Sequence, residues 1–540
     1  MSKDTSNRSG SFSGPGIGAI RHDHSSYKWW VLANIMIGTF MAVLDSTIVN
    51  VSLPKIMAAF GITVDKAEWV INAYLLAFAV MLPSSGWIAD HFGYKKIYML
   101  ALFLFTSGSF LCGLAWNENA LIFFRIMQGL GGGIITPVGM AIVLREFPLE
   151  RRGTALGFWS IAAASSVSFG PLIGGYLVDN FSWHSIFDVN LPVGLFAIFA
   201  SWAIQREYKA AKTRSFDFLG FASMSVFLVS LLLALADGNA SWNTGGWTST
   251  FILSCFAIAA VALTVFLFTE FRVEHPILEL NLLKNFNYGM ANIVLFIFGF
   301  SVFGSTFLLP LYLQNSLNYT AYQAGLVYLP MGLIQGVAAP ISGYMADRIN
   351  PKIISLVGIV FLASSWYLNG FLSLYSMHSE VMLPVYLRGI GMGILFTPLS
   401  TVALSEIKKE KMAQASGLFN VIRQVGGSFG VAVIGTLLTQ RTLFHTAVDG
   451  EAMNQYSTTF QHVINGLRYF VTQAISAPMS TELERARALV LSSVAQQAIV
   501  QATDDAFLFA FAIMLLCAVP IFFLRTHRKK AAGDKVVAME

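Results

Sequence analysis

Long apolar runs, separated by short polar stretches, follow one another along nearly the whole chain. A helix needs roughly 20 apolar residues to cross a bilayer core of about 30 Å. The runs are rich in Phe, Leu, Ile and Gly and do not alternate with polar positions, so they predict helices and not the strands of a membrane barrel. Fourteen such runs lie near 29–53, 69–89, 96–115, 119–144, 153–179, 186–204, 217–236, 249–268, 288–315, 321–348, 352–374, 380–404, 413–440 and 505–525. The pattern predicts an all-α integral membrane protein.

The composition agrees with this prediction. Of 540 residues, 55% are hydrophobic and only 12% are charged, whereas a soluble domain has about 25% charged residues. This composition excludes a soluble domain, a disordered chain and a collagen-like fibre. Cys112, Cys255 and Cys517 lie far apart in separate apolar runs, and the nine histidines have no metal-ligand spacing, so neither a disulfide framework nor a metal site is predicted.

The basic residues indicate the orientation in the membrane. They cluster in every second loop, for example at 206–214 and 408–411, whereas the short loops of the other side contain only Lys55 and Lys66. This distribution is the positive-inside pattern. It predicts a multi-pass protein of the cell membrane with both termini in the cytoplasm. The net charge of +5 therefore reflects topology and does not indicate a nucleic-acid partner.

The chain contains an internal repeat. The segment 83–90 (PSSGWIAD) recurs as 340–347 (PISGYMAD), and glycines of spans 4 and 5 recur in spans 12 and 13. Two parallel six-helix bundles are the organisation of a rocking-bundle secondary transporter. The predicted division is a disordered cytoplasmic tail (1–27), a first bundle (28–206), an inserted helix pair (207–280), a second bundle (281–525, including an outer loop at 441–504) and a second cytoplasmic tail (526–540).

Several motifs carry a resemblance to a known family. They are 44–51 (LDSTIVNV), 86–96, 125–129 (RIMQG), 157–175 and 420–428 (NVIRQVGGS). Through them the chain resembles the major facilitator superfamily, and within it the fourteen-span drug:proton antiporters of the EmrB/QacA type. The likeness covers about residues 29–440 and the last span; Ser166 stands where the family usually has Gly. It implies the major facilitator fold, multidrug efflux with antibiotic resistance, and a proton gradient in place of a cofactor.

Asp45 is the only acidic residue well inside a predicted span. It lies nine residues before Pro54, about 13 Å from the outer helix end at roughly 1.5 Å per residue. Arg125 lies about 9 Å from its own outer end, so the two can pair, and protonation of Asp45 would release Arg125. The resemblance implies a proton-coupling role for Asp45. The alternatives are a structural carboxylate that caps a neighbouring helix and an arginine that extends to the interface.

Two more arginines lie inside predicted spans. Arg388 has a depth similar to that of Arg125, and Arg423 lies nearer the cytoplasmic side. Neither has an obvious acidic partner in its own half. Either can contact an anionic substrate, and either can instead form hydrogen bonds between helices.

An acid at an inner helix end is followed by bases, and this arrangement occurs in both repeats. Such a cluster can hold cytoplasmic helix ends together in one state and break in the other; a simple positive-inside loop is the alternative. The predicted gating residues are Gly86, Asp90, Lys95, Lys96, Asp347, Arg348 and Lys352.

Small residues at roughly helical spacing mark the fifth span. They allow close approach of transmembrane helices, and the proline introduces a bend. The predicted packing residues are Gly157, Gly170, Pro171, Gly174 and Gly175. The resemblance ties this segment to export as opposed to import; the residues alone indicate tight helix packing.

A few polar or aromatic residues inside the spans can face a central cavity. A few polar groups among many apolar ones suit an amphipathic organic solute, although each residue also suits helix packing. The predicted substrate-binding residues are Asn72, Gln128, Trp159, Asn292, Tyr312, Tyr328, Gln335, Asn420, Arg423 and Gln424.

The stretch 441–504 is long for a loop between spans. Its pattern predicts a helical hairpin outside the membrane or lying on it. The resemblance implies a docking surface for a periplasmic adaptor protein, which would continue to an outer-membrane channel; a structural cap is the alternative.

The sequence thus predicts a proton-coupled exporter of small amphipathic compounds that works by alternating access. The alternatives are a dedicated exporter of one metabolite, lipid or peptide, and a membrane receptor or scaffold that does not transport. An enzyme is not predicted, because no nucleophile–base pair or metal cluster is present. No ATP-binding motif occurs in the chain.

Overall fold

The computed structural model describes residues 26–62, 64–209, 215–238, 240, 242–274, 276–408, 411–452, 460–467 and 479–525. The described residues form helices and no strands. Fourteen long helices follow in order: α1 Tyr27–Phe60, α2 Val64–Phe92, α3 Tyr94–Gly113, α4 Glu118–Glu146, α5 Arg152–Asn180, α6 Asn190–Ile204, α7 Phe218–Asp237, α8 Thr250–Glu270, α9 Phe286–Thr306, α10 Ala321–Arg348, α11 Pro351–Asn369, α12 His378–Ser405, α13 Met412–Ala452 and α14 Met479–Leu516.

Short helices extend three of these elements. Ser185–Asp188 precedes α6, Leu308–Asn315 continues α9, and Ala518–Phe523 follows α14. The tails predicted at 1–27 and 526–540 lie outside the described residues except for Ser26 and Tyr27, where α1 begins. In the loop predicted at 441–504, residues 453–459 and 468–478 also lie outside the described part.

Thirteen helical segments within the described residues are long and apolar enough to cross a membrane. Helix α5 is not among them, because serines and glycines lower its hydropathy. It is nevertheless 29 residues long and packs between α1 and α10. A central helix needs small residues more than apolar bulk, because neighbouring backbones approach it closely.

Local sequence signals set several helix ends. Asn117 caps α4 by accepting a hydrogen bond from the backbone N–H of Ala120, and Thr320 forms a capping box with Gln323 at the start of α10. Gly61 ends α1 in the left-handed conformation, with φ 63°, which favours glycine.

The helices form two groups that meet along α5 and α10. In the first group, α2 and α3 both pack on α4, and α1 packs on α5. In the second group, α9 packs on α13, and α12 packs on both α10 and α11. Helices α7 and α8 pack on each other, and α7 contacts α2 and α13. These contacts agree with the predicted all-α fold of two six-helix bundles and an additional pair.

One side of the bundle, here called the tail side, contains both ends of the described chain. Tyr27, where α1 begins, accepts a hydrogen bond from Arg206 after α6 (3.0 Å). Asn287 at the start of α9 donates to the Arg525 carbonyl (2.8 Å). The opposite side, where α13 continues towards α14, is called the loop side.

On the loop side, α13 and α14 extend beyond the predicted spans as helices. Helix α13 continues to Ala452, and α14 begins at Met479, well before the predicted span at 505. Ile464 packs in one apolar cluster with Ala486, Val490 and Val494 of α14. The predicted helical hairpin is thus built partly from extensions of the flanking spans.

Candidate functional site

Asp45 lies in the middle of α1 and has no solvent exposure. Three side chains donate hydrogen bonds to its carboxylate. Arg125 Nη1 donates to Oδ2, while Gln128 Nε2 (2.8 Å) and Asn190 Nδ2 (3.2 Å) donate to Oδ1. The predicted pairing of Asp45 with Arg125 is therefore present, and it joins α1, α4 and the start of α6.

Arg125 is equally buried, with no exposed surface. Its Nε donates to the Val70 carbonyl of α2 (3.0 Å), and its Nη1 also donates to Gln128 Oε1 (2.8 Å). Its Nη2 is buried without a hydrogen-bond partner. The guanidinium depends on Asp45 for its counter-charge, so neutralising the carboxylate leaves an uncompensated buried cation.

Tyr74 of α2 lies between this ion pair and the centre of the molecule. Its ring centroid is 4.3 Å from the Arg125 guanidinium carbon, and its hydroxyl donates to the Ala42 carbonyl of α1 (2.9 Å). The same side chain lines the central cavity. Tyr74 therefore contacts the ion pair on one side and the cavity on the other.

Two members of this cluster, Tyr74 and Asn190, were not predicted. Asn190 bridges Asp45 to Ser109 Oγ of α3 (3.0 Å). The sequence contained a signal for it, because an asparagine stands at the beginning of an otherwise apolar helix. Tyr74 gave no such signal, since an aromatic residue is ordinary in an apolar span.

A cavity of about 480 Å³ lies between the two groups of helices. Its wall is mainly apolar and aromatic and is built from helices of both groups together with α7. None of the described residues that line it is an Asp or a Glu. Six of the predicted substrate-binding residues line the cavity: Asn72, Trp159, Tyr328, Gln335, Arg423 and Gln424.

The other four predicted substrate-binding residues do not line this cavity, although they were expected to face it. Gln128 belongs to the Asp45 cluster. Asn292 and Asn420 donate to the carbonyls of the preceding helical turn (both 2.8 Å), and the Tyr312 hydroxyl donates to the Ser373 carbonyl (2.6 Å). A buried side-chain amide or hydroxyl needs a hydrogen-bond partner, and the nearest backbone carbonyl supplies it here.

Asp347 joins the two groups of helices at the tail side. Its carboxylate accepts hydrogen bonds from the backbone N–H groups of Gly153 and Thr154 (both 3.0 Å) and from the Thr154 hydroxyl (2.9 Å). These residues form the first turn of α5, where exposed N–H groups and the helix dipole favour an anion. Of the predicted gating residues, Asp347 therefore directly connects α10 to α5.

The remaining predicted gating residues lie nearby at the tail side but have other contacts. Asp90 accepts a hydrogen bond from Tyr94 (2.8 Å) and lies 3.5 Å from Arg145, a base that was not predicted for this cluster. The Lys95 ammonium donates to the Trp202 carbonyl (2.7 Å), and the backbone N–H of Lys96 donates to Glu207 (3.3 Å). The Arg348 guanidinium lies 4.2 Å from the Tyr344 ring centroid, and the Lys352 ammonium donates to the Phe522 carbonyl. Gly86 is buried.

The predicted packing glycines of α5 lie at helix crossings. A Cβ at Gly157 would lie 2.5 Å from the Ala339 carbonyl oxygen of α10, and one at Gly170 would overlap Thr47 Oγ1 of α1. Gly174 faces Ile48 at 2.9 Å, whereas the nearest atom to a Cβ at Gly175 is 3.7 Å away. Pro171 packs against the position of Gly325.

Comparisons with known proteins agree with this architecture. The model of the family described as Major Facilitator Superfamily matches residues 35–431. The multidrug export protein EmrB of Haemophilus influenzae is 33% identical over 455 residues, which are 83% of this chain and 88% of that protein. The fatty acid resistance protein FarB of Neisseria gonorrhoeae is 29% identical over 498 residues, which are 92% and 95% of the two chains.

The solved structure of the human organic anion transporter MFSD10 has the same fold, with a TM-score of 0.58 at 13% identity over 90% of this chain and 99% of that one. The family match and the similarity to curated export proteins show the class: a multi-pass membrane transporter. The chain belongs to the major facilitator superfamily. Within it, the chain is similar to the EmrB multidrug export proteins.

Proposed function

We propose that the chain is a proton-coupled exporter of amphipathic compounds that works by alternating access. The observation that carries this proposal is the buried Asp45–Arg125 pair, separated from an apolar central cavity by Tyr74. A buried ionisable pair is costly in a membrane protein and is ordinarily retained for function. The proton gradient is proposed as the energy source, without a cofactor.

The geometry supports a specific coupling sequence. Protonation of Asp45 removes the counter-charge of Arg125, which then rearranges with Gln128 and Tyr74. Tyr74 is hydrogen-bonded to the Ala42 carbonyl of α1, so its movement reaches both α1 and the cavity wall. At the tail side, the Asp347 contacts with Gly153 and Thr154 must break before the two halves separate there.

The proposal also sets the orientation and the surroundings. The tail side would face the cytoplasm, as the basic loops indicate, and the protein would reside in the cell membrane among its lipids. The extensions of α13 and α14 would project outwards. There they are proposed to dock a periplasmic adaptor that leads to an outer-membrane channel.

A dedicated exporter of one metabolite, lipid or peptide is the second candidate. It is favoured by the similarity to FarB, which is described as a fatty acid resistance protein. A receptor or scaffold is less well supported, because the buried carboxylate and the internal cavity would then have no use.

Transport by purified protein in liposomes tests the proposal. Uphill movement of fluorescent amphipathic dyes of both charges is followed under an imposed pH gradient. We expect Asp45→Asn to abolish gradient-driven movement and to retain exchange of dye across the membrane without a gradient. Asp179→Asn, which removes an exposed carboxylate of α5, is the matched control and should behave as the wild type. Wild-type uphill transport by Asp45→Asn would contradict proton coupling through this residue.

A further inference from the structure

The central cavity contains two cationic side chains and, among the described residues that line it, no carboxylate. Arg388 of α12 and Arg423 of α13 both belong to its wall. Arg125 shows the contrast, because Asp45 neutralises it directly. The cavity therefore has an excess of positive charge that the nearby ion pair does not compensate.

The partners of Arg388 are neutral. Its side chain is buried, with 4% of the residue surface exposed, and its Nε and Nη2 atoms have no hydrogen-bond partner. It interacts with the Tyr328 hydroxyl, and its guanidinium carbon is 5.8 Å from the Phe507 ring centroid. None of these groups supplies a negative charge.

Arg423 is only partly buried, but its partners are also neutral. Its Nη2 donates to Asn420 Oδ1 (3.1 Å), and its Nε is buried without a hydrogen-bond partner. The guanidinium carbon lies 5.9 Å from the Phe303 ring centroid and 5.7 Å from that of Phe396. Both arginines therefore have free N–H groups beside aromatic surface.

Burying an unpaired cation is unfavourable unless a ligand supplies the missing anion. A guanidinium presents a planar set of donors that matches carboxylate, sulfonate and phosphate oxygens. Ring faces such as those of Phe303, Phe396 and Trp159 suit the apolar body of a ligand. The two features together fit a molecule with an anionic head and an aromatic or aliphatic body.

We propose that this cavity selects amphiphilic anions, with Arg388 and Arg423 together supplying the positive charge that attracts the anionic head. The proposal rests on the cavity being the substrate site of the exporter proposed above, and it narrows the substrate class. A lipophilic cation of the same size gains the apolar contacts but is repelled by both guanidinium groups, so it binds more weakly.

Equilibrium binding separates this proposal from the question of coupling. The protein is placed in nanodiscs of phosphatidylcholine without a pH gradient, and binding is measured by equilibrium dialysis against empty nanodiscs. The probes are 1-anilinonaphthalene-8-sulfonate, its uncharged counterpart N-phenyl-1-naphthylamine, and the cation ethidium. We expect the sulfonate to bind at least about tenfold more tightly than either of the other two probes. A ratio of about tenfold is the affinity that one hydrogen bond to a charged group contributes.

Charge-removing variants identify the residues. Arg388→Gln and Arg423→Gln should each weaken sulfonate binding about tenfold and leave N-phenyl-1-naphthylamine binding unchanged. Arg388→Lys should restore part of the sulfonate affinity, because the charge is retained without the planar donor set. Arg272→Gln is the control for net charge, since Arg272 is exposed and rests on the Phe268 ring, outside the cavity; it should bind like the wild type.

The outcomes separate this inference from the proposed function. Equal binding of all three probes, or equal losses for all three in the glutamine variants, would overturn the anion site even if gradient-driven transport is intact. Selective sulfonate binding would support it even if Asp45→Asn transports normally. Addition of phosphatidylglycerol to the nanodiscs tests the source of the anion: competition with the sulfonate means that a lipid headgroup reaches the same arginines.

Discussion

The Asp45–Arg125 pair makes a prediction about stability that a double variant tests. Asp45→Asn leaves the Arg125 guanidinium buried without a counter-charge, and removing one member of a buried pair costs about 3–5 kcal/mol. Arg125→Gln likewise leaves the carboxylate without a counter-charge, although Gln128 and Asn190 still contact it (2.8 and 3.2 Å).

We expect Asp45→Asn and Arg125→Gln each to lose about 3 kcal/mol, because each leaves one charge of the pair buried without its partner. The double variant buries no charge at this site, so it should be more stable than the sum of the two single losses by about 2–3 kcal/mol, within the range for coupled residues.

The assay is the free energy of unfolding in mixed micelles of sodium dodecyl sulfate and dodecyl maltoside. It is measured at one pH for the wild type, the two single variants and the double variant. Additivity of the two single losses within about 0.5 kcal/mol would refute the reasoning.

Two further predictions concern helix contacts. Gly157→Ala should reduce folded yield and transport, because its Cβ would lie 2.5 Å from the Ala339 carbonyl oxygen. Gly175→Ala should change stability by less than about 0.5 kcal/mol, because the nearest atom to its Cβ would be 3.7 Å away. Equal effects of the two variants on folded yield would contradict the packing role of Gly157. Asp347→Asn should weaken the contact with Gly153 and Thr154 by about 1–3 kcal/mol, so that the tail side opens more often. Opening is measured as faster alkylation of a cysteine introduced at Ser160. An unchanged alkylation rate would contradict the gating role of Asp347.

The order and type of the helices could be predicted, because the length of each apolar run in the sequence identifies a membrane-spanning helix. The superfamily was also predicted correctly from motifs such as 44–51 and 125–129. The span predicted near 505–525 proved to be the later part of a longer helix, α14, whose first turns at 479–504 mix Ala, Ser and Gln with charged residues. Such a composition suits a helix that projects beyond the membrane, but its apolar content is too low to mark a span.

Side-chain contacts within the site were predictable only in part. The depth of Asp45 and Arg125 follows from residue counts along two helices, so their pairing could be anticipated. The rotation of each helix about its axis does not follow from such counts. For that reason Gln128 was assigned to the cavity although it contacts Asp45, and Arg145 was not recognised as the base beside Asp90.

Tyr74 contacts the Asp45–Arg125 pair through its ring and also lines the cavity, whereas neither member of the pair lines the cavity. Under the proposed function, a proton and a substrate would then occupy compartments with no shared ligand atom. Competition between them would be indirect, through displacement of this ring and of α1. The wall of the cavity could consequently be altered to accept a different cargo while the energy-transducing part of the molecule keeps its chemistry. A partition of this kind makes substrate range and driving force independently adjustable properties of one protein.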